Sequence, residues 1–300
     1  MAPDRNLEGR IIAAHGRHYT VELADGSLYK CFPRGKKAGA AVGDYTLIEP
    51  QGVGEGVIVR LLERRNLLYR SDEMRTKLFA ANVDLLLIVV AVEPAFSDEL
   101  VGRALVAAGS ADIPALIVLN KIDLAAALPE ARKRIEALRG LGLVVVELSA
   151  LDAAQVDAML APRLKNRTSL LLGQSGMGKS TLLNALVPGA GAFTQEHSVA
   201  LDAGKHSTTS TRLYHLPGGG DIIDSPGFQN FGLSHLTAGE IERGFPEFTP
   251  WLGQCRFYNC THLHEPGCSI LAAVDSGAIA RARHDLYKRL LQEHEMQTRY

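Results

Sequence analysis

Asn120-Lys121-Ile122-Asp123 stands ahead of Gly173-Gln174-Ser175-Gly176-Met177-Gly178-Lys179-Ser180 in this chain, and no other feature constrains the fold as tightly. The second run matches G-x-x-x-x-G-K-[ST]. Its glycines let backbone N–H groups wrap a phosphate, and the helix that follows adds its positive end. Asp224-Ser225-Pro226-Gly227 comes later still. A nucleotide-binding domain ordinarily opens with the phosphate loop and closes with the base-reading loop. Here the base reader leads, so the order predicts a circularly permuted α/β domain in which loops distant in sequence meet at one ligand.

The residue types say which ligand. Lys179 places an ammonium between the β- and γ-phosphates, and the Ser180 hydroxyl, with Thr181 behind it in the helix, suits Mg²⁺. The Asp123 carboxylate can accept both N1–H and 2-amino hydrogens of guanine, a donor pair that adenine lacks. Lys121 can lie along the base, and Asn120 can tie the base loop to the phosphate loop. Ser149-Ala150 ends a further apolar run and resembles the short element whose backbone N–H meets guanine O6. Asp224 is expected to hold Mg²⁺ through water, and the Gly227 N–H to sense the γ-phosphate. Between these motifs, Gly204 to Thr211 is rich in hydroxyls; Thr208 is the expected switch residue, and His206 a candidate catalytic group. Phe228 follows Gly227 where many such enzymes carry a water-orienting glutamine. Slow intrinsic turnover is therefore expected, with the missing group supplied by a partner or by His206.

A net charge of -1 makes any nucleic-acid binding a matter of local patches. The start of the chain has no apolar signal-peptide core, and the longest apolar run, Leu85 to Val92, is too short to span a bilayer. A cytoplasmic chain is expected. Residues 1–65 read as about five short strands, with Asp25-Gly26 as a hairpin turn, and suit an OB-fold that binds RNA. Arg34, Lys36, Lys37, Arg60, Arg64 and Arg65 are read either as a phosphate-contacting face or as solvated loop charge. Residues 66–236 alternate strands with helices, as an open, mostly parallel sheet does. Residues 237–300 hold a Cys/His cluster and a helix with Ile279, Ala282, Leu286 and Leu290 at helical spacing.

Cys255-x₄-Cys260-x-His262-x₅-Cys268 supplies three thiolates and one imidazole, a set that suits a closed, structural Zn²⁺ site. His264 is a competing ligand. Together, the permuted order, the phosphate loop, Asp224-Ser-Pro-Gly and this cluster resemble the ribosome small-subunit-dependent GTPase A family (RsgA, also YjeQ or YloQ) over nearly the whole chain. The resemblance implies an N-terminal barrel, a permuted P-loop GTPase domain and a mostly α zinc-binding domain. It implies GTP/GDP, Mg²⁺ and one structural Zn²⁺ as cofactors, and late assembly of the small (30S) ribosomal subunit through its 16S rRNA as the role. Neither a membrane nor DNA is expected as a partner, and the chain is expected to be a monomer. The alternative reading is a GTP-dependent switch that binds a protein or translation partner.

Overall fold

Alternating apolar and polar residues at the start of the chain form β1 (Leu7–Ala14), β2 (Tyr19–Leu23), β3 (Leu28–Pro33), β4 (Tyr45–Gly52) and β5 (Glu55–Leu61). The structure is a computed structural model and describes residues 6–34, 39–71, 76–190, 211–225, 233 and 235–298. The five strands run in the order β1-β2-β3-β5-β4, and β4 returns to pair with β1. Closure leaves no unpaired sheet edge in this barrel. Ile11, Val21, Cys31 and Ile48 fill it and are fully buried.

The central sheet is built from β8 (Leu85–Ala91), β9 (Ala115–Asn120), β10 (Val144–Glu147), β11 (Thr168–Leu172), β12 (Arg212–His215) and β13 (Asp221–Asp224). Its order is β10-β9-β8-β11-β13-β12. All neighbours are parallel except β12 and β13. Strand β8 reads Leu-Leu-Leu-Ile-Val-Val-Ala and is buried throughout, as a parallel strand covered on both faces must be. The phosphate loop leaves the C-terminal end of β11, which lies between β8 and β13 although three strands of the sheet precede it in sequence. Helices α2 (Leu128–Arg139), α3 (Ala153–Leu164) and α4 (Lys179–Leu186) connect the strands. Asp152 caps α3 by accepting from the Gln155 N–H.

Barrel and central sheet form one compact unit. Strand β1 pairs with β12 at Ala13 and Arg212, so the sheet runs on without a break. At the junction the Ala81 N–H donates to the Val42 carbonyl, and the Asn82 amide donates to the Gly43 carbonyl. Gly43 has φ +95°, and a Cβ there would come within 2.2 Å of the Ala81 carbonyl oxygen; only glycine fits. Two of the arginines read as a possible phosphate-contacting face are fasteners instead. Arg64 donates to the fully buried Asp44 carboxylate at 2.6 and 2.7 Å. Arg65 pairs with Asp84 and donates to the Asn82 carbonyl. Arg34 is exposed and pairs loosely with Glu49; Lys36 and Lys37 lie outside the described residues.

A second compact unit contains α1 (Asp98–Ser110), α5 (Ala238–Arg243), a 3-10 turn (Pro246–Trp251), α6 (Ser269–Asp275) and α7 (Arg281–Thr298). Helix α1 lies between β8 and β9 in sequence, yet Val101 to Ala108 are all buried, and Arg103 within that run is paired with Glu99 and Glu293, as a buried charge must be. Gly109 lets it approach Gly244, whose Cα would be 3.2 Å from an added Cβ. Phe245, Phe248 and Tyr287 stack around one another with ring centroids 5.1–5.4 Å apart. Helix α5 opens with a capping box between Thr237 and Glu240. The C-terminal helix starts at Arg281, so Ile279, expected within it, is buried just ahead of its first turn. The chain also forms a two-stranded sheet of β6 (Leu67–Ser71) and β7 (Thr76–Ala81), which hydrophobic patterning alone does not reveal. Among the described residues no helix is long and apolar enough to cross a membrane.

Candidate nucleotide site and candidate metal centre

Asn120 ends β9 and is buried, and it joins three loops. Its Nδ2 donates to the Met177 carbonyl in the phosphate loop at 2.9 Å. Its Oδ1 accepts from the Lys121 N–H and the Ala150 N–H, both at 2.8 Å. Residues 57 positions apart along the chain are thus held side by side, and the Ser149-Ala150 element is drawn into the same clasp. The clasp explains Gly178. With φ +86° and ψ +21° this residue sits in the left-handed region before α4, and a Cβ on it would lie 2.2 Å from Asn120 Nδ2. Asp123 is exposed on the same rim, where its Oδ1 accepts from the Ser149 hydroxyl at 2.5 Å. The Ser149 N–H is taken by Gln155 Oε1 at 2.7 Å. Gln155 shows no motif in the sequence, although its place in the first turn of a capped helix after Ser149-Ala150 is a legible signal.

Gly173 to Gly178 wrap back over the end of β11, with Met177 buried beneath and Ser180 and Thr181 exposed at the start of α4. Lys179 Nζ donates to the Gly173 carbonyl at 2.6 Å and the Gln174 carbonyl at 3.0 Å. Burial pulls its ammonium below the usual lysine range, and the charge of Asp224 pulls it partly back. Strands β11 and β13 pair in register, Leu171 opposite Asp224, so the carboxylate stands beside the phosphate loop. Asp224 is 6% exposed. Burial pushes its pKa up to about 6 against the attraction of Lys179. The arrangement offers backbone donors, an ammonium, a hydroxyl and a carboxylate at one rim, as a Mg²⁺-bound polyphosphate requires. His206, Thr208, Gly227 and Phe228 lie outside the described residues.

The raised Asp224 pKa sets the sign of a prediction. A carboxyl whose folded pKa lies above its unfolded value of 3.8 favours the fold when protonated, so that stability is lost as pH rises through about 6. Asp224→Asn is therefore expected to raise nucleotide-free stability at pH 7.5 by about 1–3 kcal/mol and to lower Mg²⁺-dependent GTP turnover. Thermal melts and a turnover assay test the pair of effects; a variant less stable than the parent contradicts it.

In the second unit, Cys255, Cys260, His262 and Cys268 bring one ligand atom each within 4.8 Å of all the others. Cys255 Sγ lies 3.9 Å from Cys268 Sγ and 3.5 Å from His262 Nδ1, which is 3.4 Å from Cys268 Sγ. Four donors around a metal at about 2.0–2.3 Å have separations of this size, so the residues present fit a tetrahedral ion. His262 Nδ1 faces the sulfurs, while Nε2 lies 3.2 Å from Glu242 Oε2. A carboxylate behind a ligating imidazole fixes its tautomer and orientation. Glu242, on α5, was not identified from the sequence. Burial raises the Cys255 pKa, but hydrogen bonds from Ser269 and the neighbouring thiols outweigh it and hold the group down at about 7. Glu265 organises the loop by accepting from the N–H groups of Thr261, Leu263 and His264. His264 is exposed and outside the cluster.

The family model described as RsgA GTPase matches residues 61–234, more than half of the chain. The Small ribosomal subunit biogenesis GTPase RsgA of Bordetella pertussis is 68% identical over 287 residues, covering 95% of this chain and 96% of that protein. The protein of the same name from Burkholderia pseudomallei is 60% identical over 288 residues, covering 95% and 92%. Among solved structures, YjeQ from Thermotoga maritima matches with a TM-score of 0.73 at 32% identity, over 96% of this chain and 98% of that one. YloQ, a circularly permuted GTPase, matches with a TM-score of 0.71 at 28% identity, over 99% and 97%. An Asn-Lys-x-Asp loop clasped to a G-x-x-x-x-G-K-S loop that follows it in sequence, together with this breadth of similarity, shows that the chain belongs to the RsgA GTPase family.

Proposed function

We infer that the chain hydrolyses GTP as a biogenesis factor of the small ribosomal subunit, binding the 16S rRNA of that particle as a cytoplasmic monomer. The observation that supports the nucleotide assignment is the Asn120–Met177 clasp, which brings the loop of Asp123 and the glycine-rich loop to one rim. Lys179 and the loop N–H groups neutralise the phosphate oxygens as the bond from the γ-phosphorus to its bridging oxygen breaks. Ser180, Asp224 and Thr208 would hold Mg²⁺, which when bound supplies charge neutralisation across the β- and γ-phosphates. Gly227 senses the γ-phosphate. Asn120, Lys121, Ile122, Asp123, Ser149 and Ala150 position and select the base. Cys255, Cys260, His262 and Cys268 hold one structural Zn²⁺. The barrel of residues 1–65 precedes the GTPase block of residues 66–236 in sequence, the zinc-binding block of residues 237–300 follows it, and both engage RNA.

An apolar Phe228 cannot orient the attacking water, so the particle completes the site. Purified small subunits are therefore expected to raise GTP turnover by more than about tenfold, an increment well within what a supplied catalytic group gives. The increase should fade as salt rises, because contacts to RNA phosphates release counterions. Turnover that stays flat with added subunits at low salt overturns this reading; stimulation indifferent to salt favours a protein contact over RNA.

A further inference from the structure

Barrel and nucleotide-site strands share one side chain that GTP chemistry itself does not use. Arg10, in β1, keeps only 13% of its side chain exposed. Its Nη1 donates to Asp221 Oδ2 at 2.5 Å and its Nη2 to Thr168 Oγ1 at 2.7 Å. Thr168 opens β11 and Asp221 opens β13, and the two are register partners. Three residues further on, the same pair of strands sets Leu171 opposite Asp224, and β11 runs on into the phosphate loop. At about 3.3 Å per residue, the Arg10 fork grips the two strands roughly 10 Å below the site they carry. The other Asp221 oxygen lies 2.7 Å from His215 Nδ1, and His215 Nε2 lies 2.7 Å from Glu22 Oε2 in β2. The barrel therefore holds the β13 end through two strands of its own.

Desolvation of a mostly buried guanidinium offsets much of what its ion pair contributes, and among the described residues Arg10 Nε has no hydrogen-bond partner. The contribution of Arg10 is geometric, because a planar fork with two fixed donors resists sliding of one strand against the other.

We propose that Arg10 is a positioning residue for GTP hydrolysis. Through Thr168 and Asp221, the barrel sets the stagger of β11 against β13, and with it the placement of Asp224 relative to the phosphate loop. Linkage makes the coupling reciprocal. A ligand that moves the barrel shifts Asp224, and a nucleotide that draws on Asp224 alters the barrel strands. The proposal extends the reading of the barrel as the RNA-binding module, but its test needs no RNA.

Hydrogen exchange is measured on the full chain with GDP and with a non-hydrolysable GTP analogue, each with Mg²⁺. In the parent, amides of β1 and β2 are expected to exchange at rates differing by at least about fivefold between the two states, since coupled elements open together. In Arg10→Met/Asp221→Asn, which removes both charges, the difference should fall below about twofold and kcat for GTP should fall by at least about threefold while GTP affinity stays within about twofold; an unchanged kcat overturns the role in hydrolysis. If that pair does not fold, Arg10→Lys, which keeps the charge but loses the fork, is judged by the same criterion. Identical barrel exchange in the parent's two nucleotide states, or a difference that survives in the variants, overturns the proposal. Stimulation by small subunits is scored separately: a parent without it refutes the ribosomal reading, while barrel exchange still decides the role of Arg10.

Discussion

Lys179→Ala lowers GTP turnover by about 10²–10³-fold, the range expected when one preorganised charge is removed from a phosphoryl-transfer site. Its fold should survive. Lys179 Nζ donates to the Gly173 and Gln174 carbonyls of its own loop, and burial already disfavours its charge, so truncation removes a group that is costly to enclose. The loop conformation rests on other contacts, the Asn120 bond to Met177 and the left-handed Gly178. What is lost is the ammonium that neutralises phosphate oxygens during transfer. Steady-state turnover with circular dichroism melts checks both parts: unchanged turnover removes Lys179 from the mechanism, and an unfolded variant shows that its loop contacts hold the fold together.

Loss of the proposed zinc is expected to have the second large effect, and to fall on the other unit. Cys268→Ser, or a strong zinc chelator, is expected to abolish a stoichiometry of about one zinc per chain. The melting of the C-terminal helices should then separate from that of the central sheet, at a cost of about 3–5 kcal/mol to the second unit. The four ligands sit on a segment with little apolar core of its own, and Cys268 also accepts the Leu271 N–H at the start of α6, so one substitution takes away both a ligand and a helix cap. Phe245, Phe248 and Tyr287 keep the loss below that of an isolated zinc finger. Nucleotide affinity should change by less than about twofold, because the base and phosphate loops belong to the first unit. Elemental analysis and calorimetry test this. A metal-free chain with an unchanged melt contradicts the assignment.

Much of this was legible in the residues because each motif carries its own structural context. An apolar run, a glycine-rich stretch ending in Lys-Ser and a short helix announce β11, the phosphate loop and α4 without knowledge of any other part of the molecule. The Cys/His spacing likewise delimits a ligand set whose atoms do converge. Contacts set by tertiary arrangement were not legible. Glu242 reaches His262 only because α5 folds back on the cluster, and nothing in a helix of mixed polarity marks one glutamate for that contact. Arg64 and Arg65 look like free basic charge until Asp44 and Asp84 are placed beside them. Strand β12, four residues long, acquires its identity from partners on both sides. Arg10 and Asp221 lie 211 positions apart, and no local pattern links them.

Two loops swapped in sequence read a single guanine nucleotide on this account, and base specificity at Asp123 is the decisive property. Competition binding with guanosine, xanthosine and adenosine triphosphates is measured for the parent and for Asp123→Asn. The variant should bind GTP at least about 100-fold more weakly, because its amide places an N–H donor against the base donors that the carboxylate accepted. It should bind xanthosine triphosphate, which offers an acceptor there, in preference to GTP, while ATP competes with neither. A variant that keeps the parent's GTP affinity, or a parent that binds ATP as tightly as GTP, rules out guanine recognition by these two loops.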